Sequence, residues 1–323
     1  MTTDVLVLSV ATEETAYFPA LRASAESQGF RFEVLGMGRQ WGGFIWANSL
    51  ILERLWQCEP DQLVLVLDGY DTIITTHREY LVETYHKVCS LANERAGHTP
   101  TSPTGKWVVV AVEHPREESG WLYWNTIVRA AHRYHAVSYG VDAYLNTGAI
   151  MGPACHLVNY MKSTLQNSSA TKSNDDQRVA NALFWSSWVH TEEPRVSRRE
   201  APLPIALDTE CDLFYCHCER RFWHLLVGLL WSPNNFQTPL GRVLALNKNG
   251  LWRKKTGTRV GVVHGIWNTN LDRICAYMGL PYDPKYHKEV SQPDIRVFAR
   301  VARRLSLVLG AFLVVVAVLH APL

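Results

Sequence analysis

The feature that most constrains the fold of this chain is a set of continuous apolar runs separated by segments of helical periodicity. The runs Val5–Val10, Leu63–Leu67 and Trp107–Val112 contain hardly any polar residue. Such runs are typical of parallel strands that are covered on both faces of a sheet. Strands that alternate with helices through short connections predict an α/β fold with a single, mostly parallel central sheet.

The length and net charge of the chain limit the classes of protein to which it can belong. The chain has 323 residues, of which 47% are hydrophobic and 19% charged, which suits one large globular domain. Its 32 Lys and Arg nearly balance its 30 Asp and Glu, giving a net charge of +2. A protein that binds nucleic acid by neutralising phosphates needs a stronger positive field, so we expect no nucleic-acid partner.

The C-terminal part of the sequence differs from the rest. We expect a globular domain over residues 1–285, a basic linker over residues 286–304 and a candidate C-terminal transmembrane anchor over residues 305–323. Leu305–Leu319 is apolar and uncharged, slightly short of the roughly 20 residues that span a bilayer. A buried or amphipathic terminal helix is the alternative. The arginines of the linker favour a domain on the cytosolic face.

Two carboxylates follow the central apolar run. Asp68 and Asp71 come directly after Leu63–Leu67, and ligands of open α/β sheets bind at the carboxyl ends of strands. Carboxylates three residues apart can converge on Mn²⁺ or Mg²⁺, which prefer oxygen ligands. Haloacid-dehalogenase phosphatases carry Asp-x-Asp-x-Thr after a similar strand, but the spacing here is Asp-x-x-Asp-Thr, so a phosphatase is a minor alternative.

Three further polar residues stand at the ends of predicted elements. His264 follows the predicted strand Val260–Val263 and could complete a metal site, or it could be an ordinary hydrogen-bonded polar residue. Asp175 and Asp176 precede a helix predicted to begin near Arg178. They either cap that helix through its free amides or hold sugar hydroxyls.

Five blocks of this sequence resemble, in the same order, the glycosyltransferase domain of the procollagen lysyl hydroxylase/glucosyltransferase (PLOD-like) family. The similarity spans about residues 4–282. The blocks are Val7–Thr12 with Val34–Gly43, Leu67–Ile74, Tyr144–Gly152, Asp175–Gln177 with Leu207–Asp208, and Val263–Gly265.

The resemblance implies a GT-A (Rossmann-like) fold, and it implies a role in glycosyl transfer for particular residues. Mn²⁺, or alternatively Mg²⁺, would be held by Asp68, Asp71 and His264. Asp175 and Asp176 would lie near the transferred sugar and the acceptor as catalytic residues. The implied contacts to the UDP-sugar are Trp41, Tyr70, Asn146, Thr147, Gly148 and Gly265.

The implied activity is retaining transfer of glucose or galactose from UDP-glucose or UDP-galactose to a hydroxyl. The acceptor would be a glycan, a hydroxylated protein (including a hydroxylysine-linked sugar) or a small molecule. Family members work in the secretory lumen, which predicts an endomembrane location (endoplasmic reticulum or Golgi), with the cytosolic face or the cytoplasm as the alternative. Phe44–Ser49 and Ile266–Asn270 replace family segments that carry Lys and Asn, so a catalytically silent nucleotide-sugar-binding or scaffold domain is the competing function.

Overall fold

The computed structural model places one compact unit at Met1–Asp283 and a second at Pro284–Leu323. The second unit, with the expected linker and membrane anchor, lies outside the described residues. Within the part that is described, none of the helices is long and apolar enough to cross a bilayer. The structure describes residues 4–95, 105–113, 137–138, 142–171, 174–188, 203–217, 244–247, 250–254, 256–265 and 270–283.

Strands and helices alternate through the first part of the unit, as the apolar runs predict. The helices are α1 (Phe18–Ser27), α2 (Phe44–Leu55), α3 (Arg78–Arg95), α4 (Ala154–Thr171), α5 (Asp176–Trp188) and α6 (Asp272–Met278). The strands are β1 (Val5–Val10), β2 (Arg31–Leu35), β3 (Leu63–Asp68), β4 (Thr72–Ile74), β5 (Val108–Glu113), β6 (Val137–Ser138), β7 (Asp142–Pro153), β8 (Ile205–Leu207), β9 (Phe214–His217), β10 (Leu244–Asn247), β11 (Gly250–Arg253) and β12 (Val262–Gly265).

The central sheet has the strand order β2-β1-β3-β7-β5-β8, with β6 beside β7. Strand β1 pairs in parallel with β2 and β3, and β5 pairs in parallel with β8. Strand β7 runs antiparallel between β3 and β5. The expected α/β fold with a mostly parallel central sheet is therefore confirmed.

Both faces of the central sheet are covered, which explains the continuous apolar runs. In β1 every residue is buried. Leu6 and Leu8 pack into a cluster with α2 and α4, while Val5 and Val7 pack into a cluster with α1 and α3. Successive side chains of a strand point to opposite faces, so a strand between two helical layers needs an apolar residue at nearly every position.

Two small sheets accompany the central one, and the sequence analysis did not predict them. Strands β4, β12 and β9 form a three-stranded sheet, and β10 pairs with β11. The last predicted strand, Val260–Val263, was placed too early: the strand is Val262–Gly265, so His264 lies within it. The expectation of a helix near Arg178 was close, since α5 begins at Asp176.

Candidate active site at the end of the central strands

The turn after β3 presents both acidic side chains at one end of the sheet. Strand β3 ends at Asp68, and β4 begins one residue after Asp71. Gly69 fits closely against β1, because a Cβ at this position would lie 2.7 Å from the carbonyl oxygen of Val10. The hydroxyl of Thr72 closes the turn by donating to the carbonyl oxygen of Asp68 (2.5 Å). A turn fixed at both ends holds Asp68 and Asp71 in a defined orientation.

Strand β12 brings His264 to this turn from far along the chain. It pairs antiparallel with β4, so that His264 lies opposite Thr72. The backbone N–H of Gly265 donates to the carbonyl oxygen of Asp71 (2.7 Å). The small three-stranded sheet therefore determines the position of the imidazole relative to the two carboxylates.

Asp68, Asp71 and His264 form a group that fits a divalent cation. One ligand atom from each side chain lies within 4.8 Å of the other two. The Nε2 atom of His264 is 3.3 Å from Asp71 Oδ1 and 3.6 Å from Asp68 Oδ2. Two carboxylates and an imidazole are ligands that Mn²⁺ accepts, so the three residues predicted as metal ligands are brought together.

Asn146 determines which nitrogen of His264 faces the carboxylates. Its Oδ1 accepts a hydrogen bond from the backbone N–H of Gly148 (2.9 Å) and lies 2.9 Å from His264 Nδ1. Because the Asn146 Oδ1 atom can only accept a hydrogen bond, the Nδ1 atom of His264 must carry the proton between them. Nε2 is then the atom that can bind a metal, because a histidine ligand is commonly oriented through its other nitrogen.

An irregularity in β7 places Asn146 and Gly148 beside the carboxylates. Pairing with β5 jumps from Val110–Ile150 to Ala111–Asn146, so residues 147–149 are skipped. Gly148 fits tightly there. A Cβ on it would lie 2.1 Å from His264 Cε1 and 2.7 Å from Asp68 Oδ2. Any side chain at this position would collide with two of the three metal-ligand candidates.

Three titratable groups lie close together at this site. Asp68 lies in a cleft with 49% of its side-chain surface accessible, yet burial among protein atoms, and then repulsion from Asp71, raise its pKa to about 7. Burial alone lowers the pKa of His264, but the negative charge and hydrogen bond of Asp71 outweigh it and raise the pKa above its usual value. A proton and a metal ion therefore compete for Nε2 of His264, because only the neutral imidazole can bind a metal.

The two aspartates at the start of α5 have different environments. Asp175 is exposed and caps the helix, because its Oδ1 accepts from the backbone N–H of Arg178 (2.9 Å). Asp176 lines the cleft and accepts from the backbone N–H of Gln177 (2.8 Å) and the hydroxyl of Thr147. Burial raises the pKa of Asp176 to about 6 even against those two hydrogen bonds. Asp176 therefore lines the cleft, and Asp175 stands at the exposed start of the helix.

A cleft that is open to solvent extends from Asp68 and Asp176 along the sheet. Trp41 lies at this cleft with 44% of its surface exposed. Its ring contacts Phe44 and Trp46 edge-on, with centroids 5.7 Å away in each case. Thr147 also lines the cleft. The predicted residues Asp68, Trp41, Thr147 and Asp176 therefore share one cavity.

Tyr70 and Gly265 contribute to the framework around this cavity, and neither is among the residues that line it. The Tyr70 hydroxyl accepts from the backbone N–H of Thr12 (2.8 Å). Gly265 holds the backbone of Asp71 as described above.

Three polar residues of the cleft were missed by sequence analysis: Asn48 on α2, and Tyr160 and Thr164 on α4. They stand on helix faces that are otherwise apolar, among buried neighbours such as Ile51 and Met161. Their one trace in the sequence is that each is an isolated polar residue on an otherwise apolar helix face.

An α/β domain with a cleft and a metal-competent cluster at the ends of its central strands is typical of nucleotide-binding enzymes. Residues 1–95 match the family model described as the PLOD GT domain. The predicted resemblance to the PLOD-like glycosyltransferase family is thus confirmed over the N-terminal part of the chain, which contains Trp41, Asp68 and Asp71.

Comparison with curated proteins finds no match. Among solved structures, the chain is similar to a "crystal structure of a glycosyltransferase involved in the glycosylation of the major capsid of PBCV-1". The identity is 13%, and the match covers 86% of this chain and 100% of that chain, with a TM-score of 0.41.

Proposed function

We propose that this protein is a metal-dependent retaining glycosyltransferase that moves glucose or galactose from a UDP-sugar to an acceptor hydroxyl. The observation that carries the proposal is the convergence of Asp68, Asp71 and His264 at the mouth of a cleft that also exposes Trp41 and Asp176. The match of residues 1–95 to the PLOD GT domain supports the same activity.

The fold we propose is GT-A. The strand order β2-β1-β3-β7-β5-β8, with β7 antiparallel between parallel neighbours, supports it. In such a sheet a nucleotide binds beyond the carboxyl ends of the parallel strands. The carboxylates after β3 stand at that end, which is where a diphosphate would meet them.

Mn²⁺ fits the donor set of Asp68, Asp71 and His264, whose Nε2 is freed for coordination by the bond between Nδ1 and Asn146. When bound, such an ion neutralises the charge that develops on the departing diphosphate. In the transfer, the bond from the anomeric carbon to the diphosphate oxygen breaks and a bond to the acceptor oxygen forms. The acceptor proton leaves with the diphosphate.

Asp176 has the properties needed to hold the sugar in place for this reaction. Its pKa of about 6 leaves it mostly ionised at neutral pH, so it accepts hydrogen bonds from sugar hydroxyls. The aromatic rings of Trp41 and Phe44 present flat apolar faces that suit a base or a sugar ring. Together they would orient the donor and exclude water from the reacting carbon.

The direct test is UDP release from a panel of UDP-sugars with Mn²⁺, which needs no known acceptor when the donor is slowly hydrolysed. Asp71→Asn removes one carboxylate with little change of shape. Asp61→Asn makes the same change at a surface ion pair with Lys106 and is the matched control. We expect release to require Mn²⁺, to favour UDP-glucose or UDP-galactose, to be lost in Asp71→Asn and to persist in Asp61→Asn.

The results of this test separate an enzyme from a silent domain. If UDP binds with Mn²⁺ but no donor is hydrolysed and no acceptor from a hydroxyl-bearing panel is glycosylated, the protein is a nucleotide-sugar-binding domain. If UDP does not bind at all, the metal-site assignment is wrong and the transferase proposal falls with it.

We also propose that residues 305–323 attach the domain to an endomembrane. The uncharged apolar composition of that segment supports this. Membrane fractionation of the full chain and of a variant that lacks residues 305–323 tests it. Equal recovery of both forms in the soluble fraction would rule out the anchor.

A further inference from the structure

The cleft carries one buried polar group that lacks a partner, together with a second polar side chain, Asn48. Tyr160 on α4 is only 1% exposed, and its hydroxyl has no hydrogen-bond partner within the described structure. Asn48 on α2 is 8% exposed, and its carboxamide is a second polar group on the wall of the cleft. Both residues line the cleft that contains Asp176. Because buried polar groups are rarely left unsatisfied, a ligand is the natural partner for the Tyr160 hydroxyl, and the same ligand would lie within reach of Asn48.

Thr164 is the neighbour that could satisfy the Tyr160 hydroxyl, and its side chain lowers the pKa of that phenol. The hydroxyl of Thr164, one helical turn further along α4, donates instead to the carbonyl oxygen of Tyr160 (3.0 Å). Burial, followed by the charge of Asp176, raises the pKa of Tyr160. The phenol is therefore protonated at neutral pH and offers both a donor and an acceptor towards the cleft.

The chemistry of these groups favours a sugar ring over a phosphate. A phosphate only accepts hydrogen bonds, and the negative Asp176 would repel it. A sugar hydroxyl both donates and accepts, so it can donate to Asp176 and exchange hydrogen bonds with the amide of Asn48 and the phenol of Tyr160. Met161 and Trp41, which line the same cleft, supply apolar surface for the ring.

We propose that Asn48 and Tyr160 form a subsite for ring hydroxyls of the transferred sugar and determine which hexose the protein accepts. The inference rests on the proposed function, because it assigns the subsite to the donor of that reaction. Neither residue belongs to the metal group, so the subsite can be changed without touching Asp68, Asp71 or His264.

The test is calorimetric binding of UDP and of UDP-glucose, UDP-galactose and UDP-xylose, each with Mn²⁺, to the full-length protein. Tyr160→Phe should weaken binding of the preferred UDP-hexose by about 3- to 10-fold, as expected for one lost hydrogen bond. Binding of UDP alone should stay within about twofold, because UDP does not reach the subsite. Asn48→Ala should show the same pattern and reduce the preference among the three UDP-sugars.

A stability measurement distinguishes a ligand subsite from a structural role. Tyr160→Phe removes a hydroxyl that has no partner, so the ligand-free melting temperature should be equal or higher. Tyr85→Phe is the matched control: the Tyr85 hydroxyl is also buried but donates to the carbonyl oxygen of Trp107 (2.8 Å). That variant should melt at a lower temperature and keep the wild-type preference among UDP-sugars.

Each remaining outcome decides against the subsite. Unchanged UDP-hexose affinity in both Tyr160→Phe and Asn48→Ala means that the two side chains bind only a structural water. If the variants bind UDP and UDP-hexose equally more weakly than wild type, the base or the diphosphate, and not the sugar, contacts Asn48 and Tyr160. If wild-type protein binds no UDP compound with Mn²⁺, the proposed function itself is wrong, which is a distinct result because no variant is needed to see it.

Discussion

Gly148 lies so close to the metal-ligand candidates that adding one methyl group should disable the site. A Cβ at this position would lie 2.1 Å from Cε1 and 2.6 Å from Nδ1 of His264, and 2.7 Å from Asp68 Oδ2. Ordinary contact requires about 3.5 Å, so in Gly148→Ala the imidazole must move by more than about 1 Å. Metal–ligand distances tolerate about 0.2 Å. We therefore expect Mn²⁺ affinity to fall at least about 100-fold, or about 2.7 kcal/mol.

Mn²⁺ titration followed by electron paramagnetic resonance measures this loss directly, with circular dichroism to check the fold. Overpacking should also cost about 1–3 kcal/mol of stability. Gly152→Ala on the same strand is the matched control. Its Cβ would meet backbone atoms of Trp107 and Val108 at 3.1 and 3.3 Å, a mild strain remote from the carboxylates. If folded Gly148→Ala binds Mn²⁺ within about threefold of wild type, the derived geometry of the site is wrong.

Four other perturbations test separate parts of the account. Mn²⁺ at about 100 times its Kd should stabilise wild-type protein by about 2.7 kcal/mol in thermal melts. The stability of Asp71→Asn should be the same with and without Mn²⁺. Asn146→Ala should weaken Mn²⁺ binding about 10- to 100-fold, because His264 loses the partner that orients it; normal affinity would contradict that role. The pKa of Asp176 is raised to about 6 from about 3.9 in the unfolded chain, so its contribution to stability is complete below about pH 4 and is lost as pH rises through 6. In thermal melts without metal from pH 4 to 7, the free energy of unfolding should decline by at most about 1.4 kcal/mol per pH unit. In Asp176→Asn the free energy of unfolding should depend less on pH. Trp41→Ala should weaken UDP-sugar binding about tenfold, whereas the same change at the exposed Trp56 should leave it intact.

The central strands could be predicted because their environment leaves a strong mark on the sequence. A strand such as β1 or β3, buried on both faces, must be apolar at nearly every position. The ends of these strands then locate Asp68 and Asp71 without further information. The sequence therefore predicts the carboxylate pair, because the two residues stand at the end of a strand that is buried on both faces.

The second sheet and the polar end of the cleft could not be predicted in this way. Strands β4, β9 and β12 have only three or four residues each, too few to show a period. His264 was selected as a residue after a strand, but it reaches the site from within one, through a pairing with β4 that local sequence does not encode. The skipped residues in β7 and the unpartnered hydroxyl of Tyr160 depend on contacts between distant segments.

Crystals grown with Mn²⁺ and UDP give the most direct test of the metal site, which is the central claim. Diffraction data collected at the manganese absorption edge should show one strong anomalous peak among Asp68 Oδ2, Asp71 Oδ1 and His264 Nε2, with the diphosphate against it. Absence of that peak, or a metal bound to the diphosphate at another part of the cleft, would contradict the assignment of these three residues.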